Sequence, residues 1–116
     1  MKEQRRLVRL NVSDFLDIRA ADSQKVVRST TVNITSMGIC FSSQDEWPKG
    51  QALTIYYFMP DELDSVQLTV RICWTEFINP KQGYFCGCEI LSIEEDKQEK
   101  FIAYYAARLE DRLSRG

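Results

Sequence analysis

The chain contains no histidine. That absence removes imidazole acid–base catalysis, nucleophile pairs built on His, and every His-ligated metal site. Glycine and proline are sparse, at five and three residues in 116, which excludes collagen-like repeats and low-complexity linkers. No GxSxG, no phosphate-loop glycine run and no HExxH occurs. The acidic residues cluster at Asp61, Glu62, Asp64 and at residues 94–99. They read as a solvated turn and a helix start rather than as a catalytic pair, so an enzyme is not expected. No apolar run approaches the ~18–20 residues of a membrane span. The basic residues at the start precede no apolar segment, so a secretory leader is not expected and the cytoplasm is the default compartment.

What is present is ordinary globular composition, 44% apolar and 28% charged. At ~150 residues per domain the chain makes one domain, which we divide into a flexible basic arm (1–8), a barrel (9–91) and a helix (92–115). A chain of this size buries roughly two-thirds of its extended surface and needs no disulfide or metal staple. The four cysteines, Cys40, Cys73, Cys86 and Cys88, lack zinc-knuckle spacing and read as small buried hydrophobes. Cys86 and Cys88 are two apart, so in a strand they share a face. The net charge of −2 and a pI near 5.2 argue against a DNA- or RNA-binding barrel.

The dominant period is two. Over residues 65–77, Val66, Leu68, Val70, Ile72 and Trp74 alternate with Gln67, Thr69, Arg71, Cys73 and Thr75. That is a half-buried strand with Trp74 on the core face. Residues 52–58 and 84–91 form two more strands, the latter joined to 65–77 through the turn 79–83. Residues 7–19, 26–34 and 38–42 complete the set, the first as one long irregular strand. From Ser92 the period becomes helical: Ser92 and Glu95 have capping-box spacing, and Phe101, Ile102, Tyr105, Leu109 and Leu113 follow. The expected fold is mainly β, a small antiparallel six-stranded Greek-key-like β-barrel with a C-terminal α-helix, which leaves few exposed strand edges.

Two segments stand out as candidate sites. Lys2, Arg5, Arg6 and Arg9 put four cations into nine residues, opposed by Glu3. Guanidinium groups pair with phosphate oxygens and guanine edges, or stack on a purine. The same segment also reads as a solvated basic terminus. Arg108 and Arg112 repeat its spacing on what reads as an exposed helix face. The second segment, residues 33–38, contains Asn33, Thr35 and Gly38. It reads either as a polar β-turn or as a donor–acceptor cluster at a barrel rim.

In order, the two segments resemble the PilZ family, whose pattern is RxxxR followed by [D/N]xSxxG, then a barrel and a helix. Arg5 and Arg9 occupy the first motif; Asn33, Thr35 and Gly38 occupy the second. The turn at 47–51 before the 53–60 segment, the Ile72-Cys73-Trp74 strand end and the glycine-led 87–90 strand are similar too. The resemblance implies a receptor for the bacterial second messenger cyclic di-GMP, with no cofactor, signalling to a separate effector protein as a monomer or weak dimer. It implies that Arg5 and Arg9 clamp phosphates and guanine edges and that Arg6 assists. Asn33 and Thr35 would bond a guanine, Gly38 would leave room for it, and Trp74 would flank it. Asn33 offers one acceptor oxygen where an aspartate offers two, and Thr35 adds a methyl to the usual serine. Those departures keep a second reading in view: a PilZ-like adaptor that binds proteins and not the nucleotide.

Overall fold

The computed structural model describes residues 10–20, 23–60 and 64–115, with the side chains of residues 10–11 and 112–115 excepted. Among the described residues, seven strands precede one helix: β1 (Leu10–Asn11), β2 (Phe15–Ala20), β3 (Val27–Ile34), β4 (Gly38–Ser43), β5 (Ala52–Met59), β6 (Asp64–Asn79) and β7 (Gly83–Ile93). A 3-10 turn (Glu95–Lys97) leads into α1 (Gln98–Arg115). All pairings are antiparallel, in the order β3-β2-β5-β6-β7-β4, and β4 returns to β3 to close the barrel. Closure leaves the six main strands no long free edge.

Alternation builds the wall as expected. On β5, Leu53, Ile55, Tyr57 and Met59 point inward, and on β6 so do Val66, Leu68, Val70 and Ile72. Leu16 and Ile18 from β2 and Ile39 and Phe41 from β4 fill the same interior. The helix closes one mouth. Phe101 is fully buried, with its ring 5.5 Å from that of Tyr57 in an edge-on arrangement, and Tyr104 meets Tyr57 at 6.2 Å. Lys97 ties the helix entry to β6, donating to Asp64 (3.0 Å) and to the Ser65 carbonyl (2.9 Å).

Three expectations require correction. The segment 7–19 is not one strand. Its described part is β1 and β2, end to end along the same edge of β3 and interrupted at residues 12–14. The side chain of Thr31 and its backbone hold that interruption, as described below. The capping box at Ser92 does not form either. Ser92 pairs with Thr69 and the strand runs on to Ile93, because the ladder with β6 continues there, so the helix begins six residues later. Finally, Trp74 leaves the core face. The register shifts between Ile72 and Trp74, a β-bulge that places both Cys73 and Trp74 outside the barrel.

The β6–β7 hairpin turns where the sequence placed it. Asn79 pairs with Gly83, and the Asn79 carboxamide accepts from the Gln82 amide at 2.7 Å. Gly83 has φ +76°, and a Cβ there would stand 2.3 Å from the Ser43 carbonyl oxygen. Gly83→Ala therefore meets both left-handed strain and a backbone clash. We expect a loss of about 2–3 kcal/mol, read as a lower urea midpoint at unchanged m-value.

Candidate functional site

The β3–β4 hairpin carries the candidate turn. Thr35 is buried, and its hydroxyl oxygen accepts from the amides of Met37 (3.1 Å) and Gly38 (2.9 Å). Its own amide donates to the Gly38 carbonyl at 2.9 Å. The side chain thus folds the turn upon itself, and the hydroxyl proton is what it has left to offer. Gly38 is shaped by crowding: a Cβ would lie 3.1 Å from the Cys88 carbonyl oxygen. Met37, between them, is 65% exposed.

The strand register assembles a row on the side of the wall that faces away from the interior, with Cys40 and Gly87 themselves covered. Asn11 opposes Asn33, Asn33 opposes Cys40, Cys40 opposes Gly87, and Gly87 opposes Trp74. Opposed residues share a face. Asn33 and Trp74, 41 positions apart in sequence, therefore belong to one surface that also reaches β1. Trp74 is 42% exposed, and its indole lies against the bare backbone of Gly87, where a Cβ would come within 2.1 Å of the ring. The bulge and that glycine together lay an aromatic plane on the outside of the barrel. Gly38 heads the adjacent row, opposite Glu89, which is opposite Arg71. Arg71 Nε donates to Glu89 Oε1 at 2.8 Å, and both side chains are about half exposed.

Sequence reasoning did not single out Arg71 and Glu89. The available signal was Arg71 on the polar half of the β6 alternation, but only the register puts it in the same row as Gly38, across Glu89. Arg5, Arg6 and Arg9 lie outside the described residues. Their chain joins β1 at Leu10, the partner of Ile34, one residue before Thr35.

Two other groups are assigned by their surroundings. Burial pushes the Cys86 thiol up to about 11 and raises Cys88 as well, so neither supplies a thiolate near neutrality. Cys40 is buried too, and Cys73 sits in the exposed bulge. Among the described residues, no cluster of cysteine and carboxylate side chains is arranged to hold a metal ion. Arg108 is not simply solvated: its guanidinium stacks 5.4 Å from the Tyr104 ring centre and donates to the Tyr104 hydroxyl at 3.1 Å.

The fold is a closed antiparallel barrel with a helix across its mouth and a tight polar turn at the rim. The sequence model of the PilZ domain matches residues 3–107, and the chain belongs to the PilZ domain family. No curated protein sequence matches it. Among solved structures, it is similar to the Bacillus subtilis inhibitor of motility MotI/DgrA, with a TM-score of 0.74 and 16% identity over 90% of this chain and 51% of that one. It also resembles the PilZ domain of CeSA from a cellulose-synthesizing bacterium (TM-score 0.61, 18% identity, 89% and 98% of the two chains). A third similar structure is the MrkH–c-di-GMP complex of K. pneumonia (TM-score 0.61, 11% identity, 93% and 49%). The chain spans about half the length of MotI and of MrkH. Among the described residues, no helix is long and apolar enough to cross a membrane.

Proposed function

We propose that this domain is a cytoplasmic cyclic di-GMP receptor that signals to a separate effector protein. The observation that carries the reading is the register row from Asn33 to Trp74, whose first member pairs with β1 at the entry of the arginine segment and which flanks the polar turn. An extended chain spans ~3.5 Å per residue, so Arg5 and Arg9 are within roughly 20 Å of Leu10, enough to cover a dinucleotide lying on this face. Arg5 and Arg9 grip phosphates and guanine Hoogsteen edges, and Arg6 adds charge or stacking. Asn33 bonds a guanine edge, the Thr35 hydroxyl donates from within the turn, Gly38 keeps the surface low, and Trp74 flanks the base. Family membership and the ligand of the MrkH structure support the same choice of nucleotide.

A second reading, a protein adaptor that ignores the nucleotide, draws on a different observation. Met37 and Leu91 are exposed apolar side chains at the rim of a dip of about 360 Å³ beside the turn. Calorimetric titration separates the two readings. The receptor gives saturable heat with cyclic di-GMP at micromolar concentrations; the adaptor gives none at tens of micromolar.

A further inference from the structure

The interruption between β1 and β2 is a three-way joint. Thr31, in the middle of β3, staples it: its hydroxyl accepts from the Asp14 amide (2.9 Å) and donates to the Val12 carbonyl (3.0 Å), and its amide donates to the Asp14 carbonyl (2.9 Å). The Asp14 side chain then turns into the barrel mouth, where the residue is only 5% exposed. There its carboxylate accepts from the Tyr57 hydroxyl on β5 at 2.5 Å and, through the same oxygen, from the Tyr104 hydroxyl on α1. Tyr104 in turn accepts from Arg108. The chain of donors runs one way, from Arg108 through Tyr104 to Asp14. It connects the surface of the helix to the stretch that immediately follows β1.

We infer that Asp14 is a positioning residue that couples the root of the ligand-gripping arm to helix α1, so that the state of the arm is read on the helix surface. The inference rests on the receptor reading above for its ligand, but the joint itself does not need the ligand. The arm enters the fold through β1, and its only covalent continuation passes through residues 12–14. A hydrogen bond weakens steeply as its distance and angle depart from the preferred geometry, so a shift of β1 toward the Asn33–Gly38 turn is resisted or transmitted at Tyr104. Coupling of this kind is reciprocal: what the arm does to the helix, the helix does to the arm.

Reciprocity supplies the test. Tyr104→Phe keeps the ring and removes the hydroxyl. In ligand-free full-length protein, hydrogen exchange of the amides of β1 and of Asn33 and Ile34 should quicken by about fivefold or more, the lower end of ordinary coupling strengths. Ala106→Gly is the control: it weakens the same helix at an exposed position without touching the joint, and it should leave β1 exchange within twofold of the parent by the same rule. Should Tyr104→Phe fail to fold, Arg108→Met removes the next donor and should quicken β1 in the same direction. Unchanged β1 exchange in the folded hydroxyl or guanidinium variant, or equal quickening in Ala106→Gly, overturns the inference. With saturating cyclic di-GMP, exchange around Tyr104 and Arg108 should slow in the parent protein and not in Tyr104→Phe. Absence of calorimetric heat would defeat the receptor reading alone, because the ligand-free exchange result stands or falls independently.

Discussion

Asp14→Ala is expected to lower the melting temperature by roughly 10–20 °C, the largest stability effect of any single substitution considered. The carboxylate is the acceptor for two buried phenols, Tyr57 and Tyr104. A hydrogen bond to a charged group contributes about 1.5–3 kcal/mol, and a buried donor left without an acceptor costs a further ~1–3 kcal/mol. The bonds share one oxygen and are not additive, so about 3–5 kcal/mol is the expected loss. At this chain length each kcal/mol moves the midpoint by roughly 3–5 °C. Asp14→Asn retains an acceptor oxygen and should lose less than half as much. Burial first, and the hydrogen bond to Asp14 second, raise the hydroxyl pKa of both tyrosines. Groups whose folded pKa is raised stabilise fully below their unfolded value, here 10.0, and lose that contribution as pH rises beyond it. Both phenols thus keep their protons throughout the neutral range, and thermal scans at pH 7 and above pH 10 check both halves of the statement.

Arg9→Ala is expected to weaken cyclic di-GMP binding by roughly 5- to 150-fold. One bidentate arginine–guanine contact is worth ~1–3 kcal/mol, and each 1.4 kcal/mol is a factor of ten. Arg9 immediately precedes β1 in the sequence, and the first residue of β1, Leu10, pairs with Ile34 beside the Thr35 turn. Arg9→Lys should fall most of the way toward alanine, because an ammonium is a point charge and lacks the planar fork. Calorimetric titration of the three proteins under one salt condition measures the ratio. Equal affinity in all three would keep the nucleotide and discard the arm as its grip.

How much of this was legible in the chain depends on the kind of signal. The walls were, since Leu53, Ile55 and Tyr57 or Val66, Leu68 and Val70 announce a period of two that no packing detail overrules. The turn at Asn79–Gly83 was legible because asparagine and glycine are chosen for local reasons. The bulge at Cys73 was not. It obeys the ladder with β7, and the unbroken alternation through Trp74 argued for the wrong face. The one available hint was Gly87, whose missing side chain makes room for the indole, and that becomes visible only when Trp74 and Gly87 are known to be neighbours. Ser92 misled for a similar reason: a good capping residue was already committed to a strand by its partner Thr69. Asp14 lies inside the segment expected as one irregular strand and carried no signal of its own. Its two partners lie 43 and 90 positions away, so only the closed fold shows that it joins the stretch after β1 to the barrel wall and the helix. The motif residues Asn33, Thr35 and Gly38 were found from their order along the chain, whereas the row that links Asn33 to Trp74 came from the register alone.

A nitrogen–proton correlation titration of the intact protein with cyclic di-GMP bears most directly on the proposed binding face. Resonances of Asn33, Met37, Gly38 and the Trp74 indole should move together with those of residues 5–9, along one saturation curve. Ser29, Ser42 and Gln44, which line a separate groove of about 280 Å³ at the opposite end of the β3–β4 hairpin, should stay in place. Saturable shifts confined to that groove, or binding that leaves both the arginines and the Thr35 turn unmoved, would contradict the account.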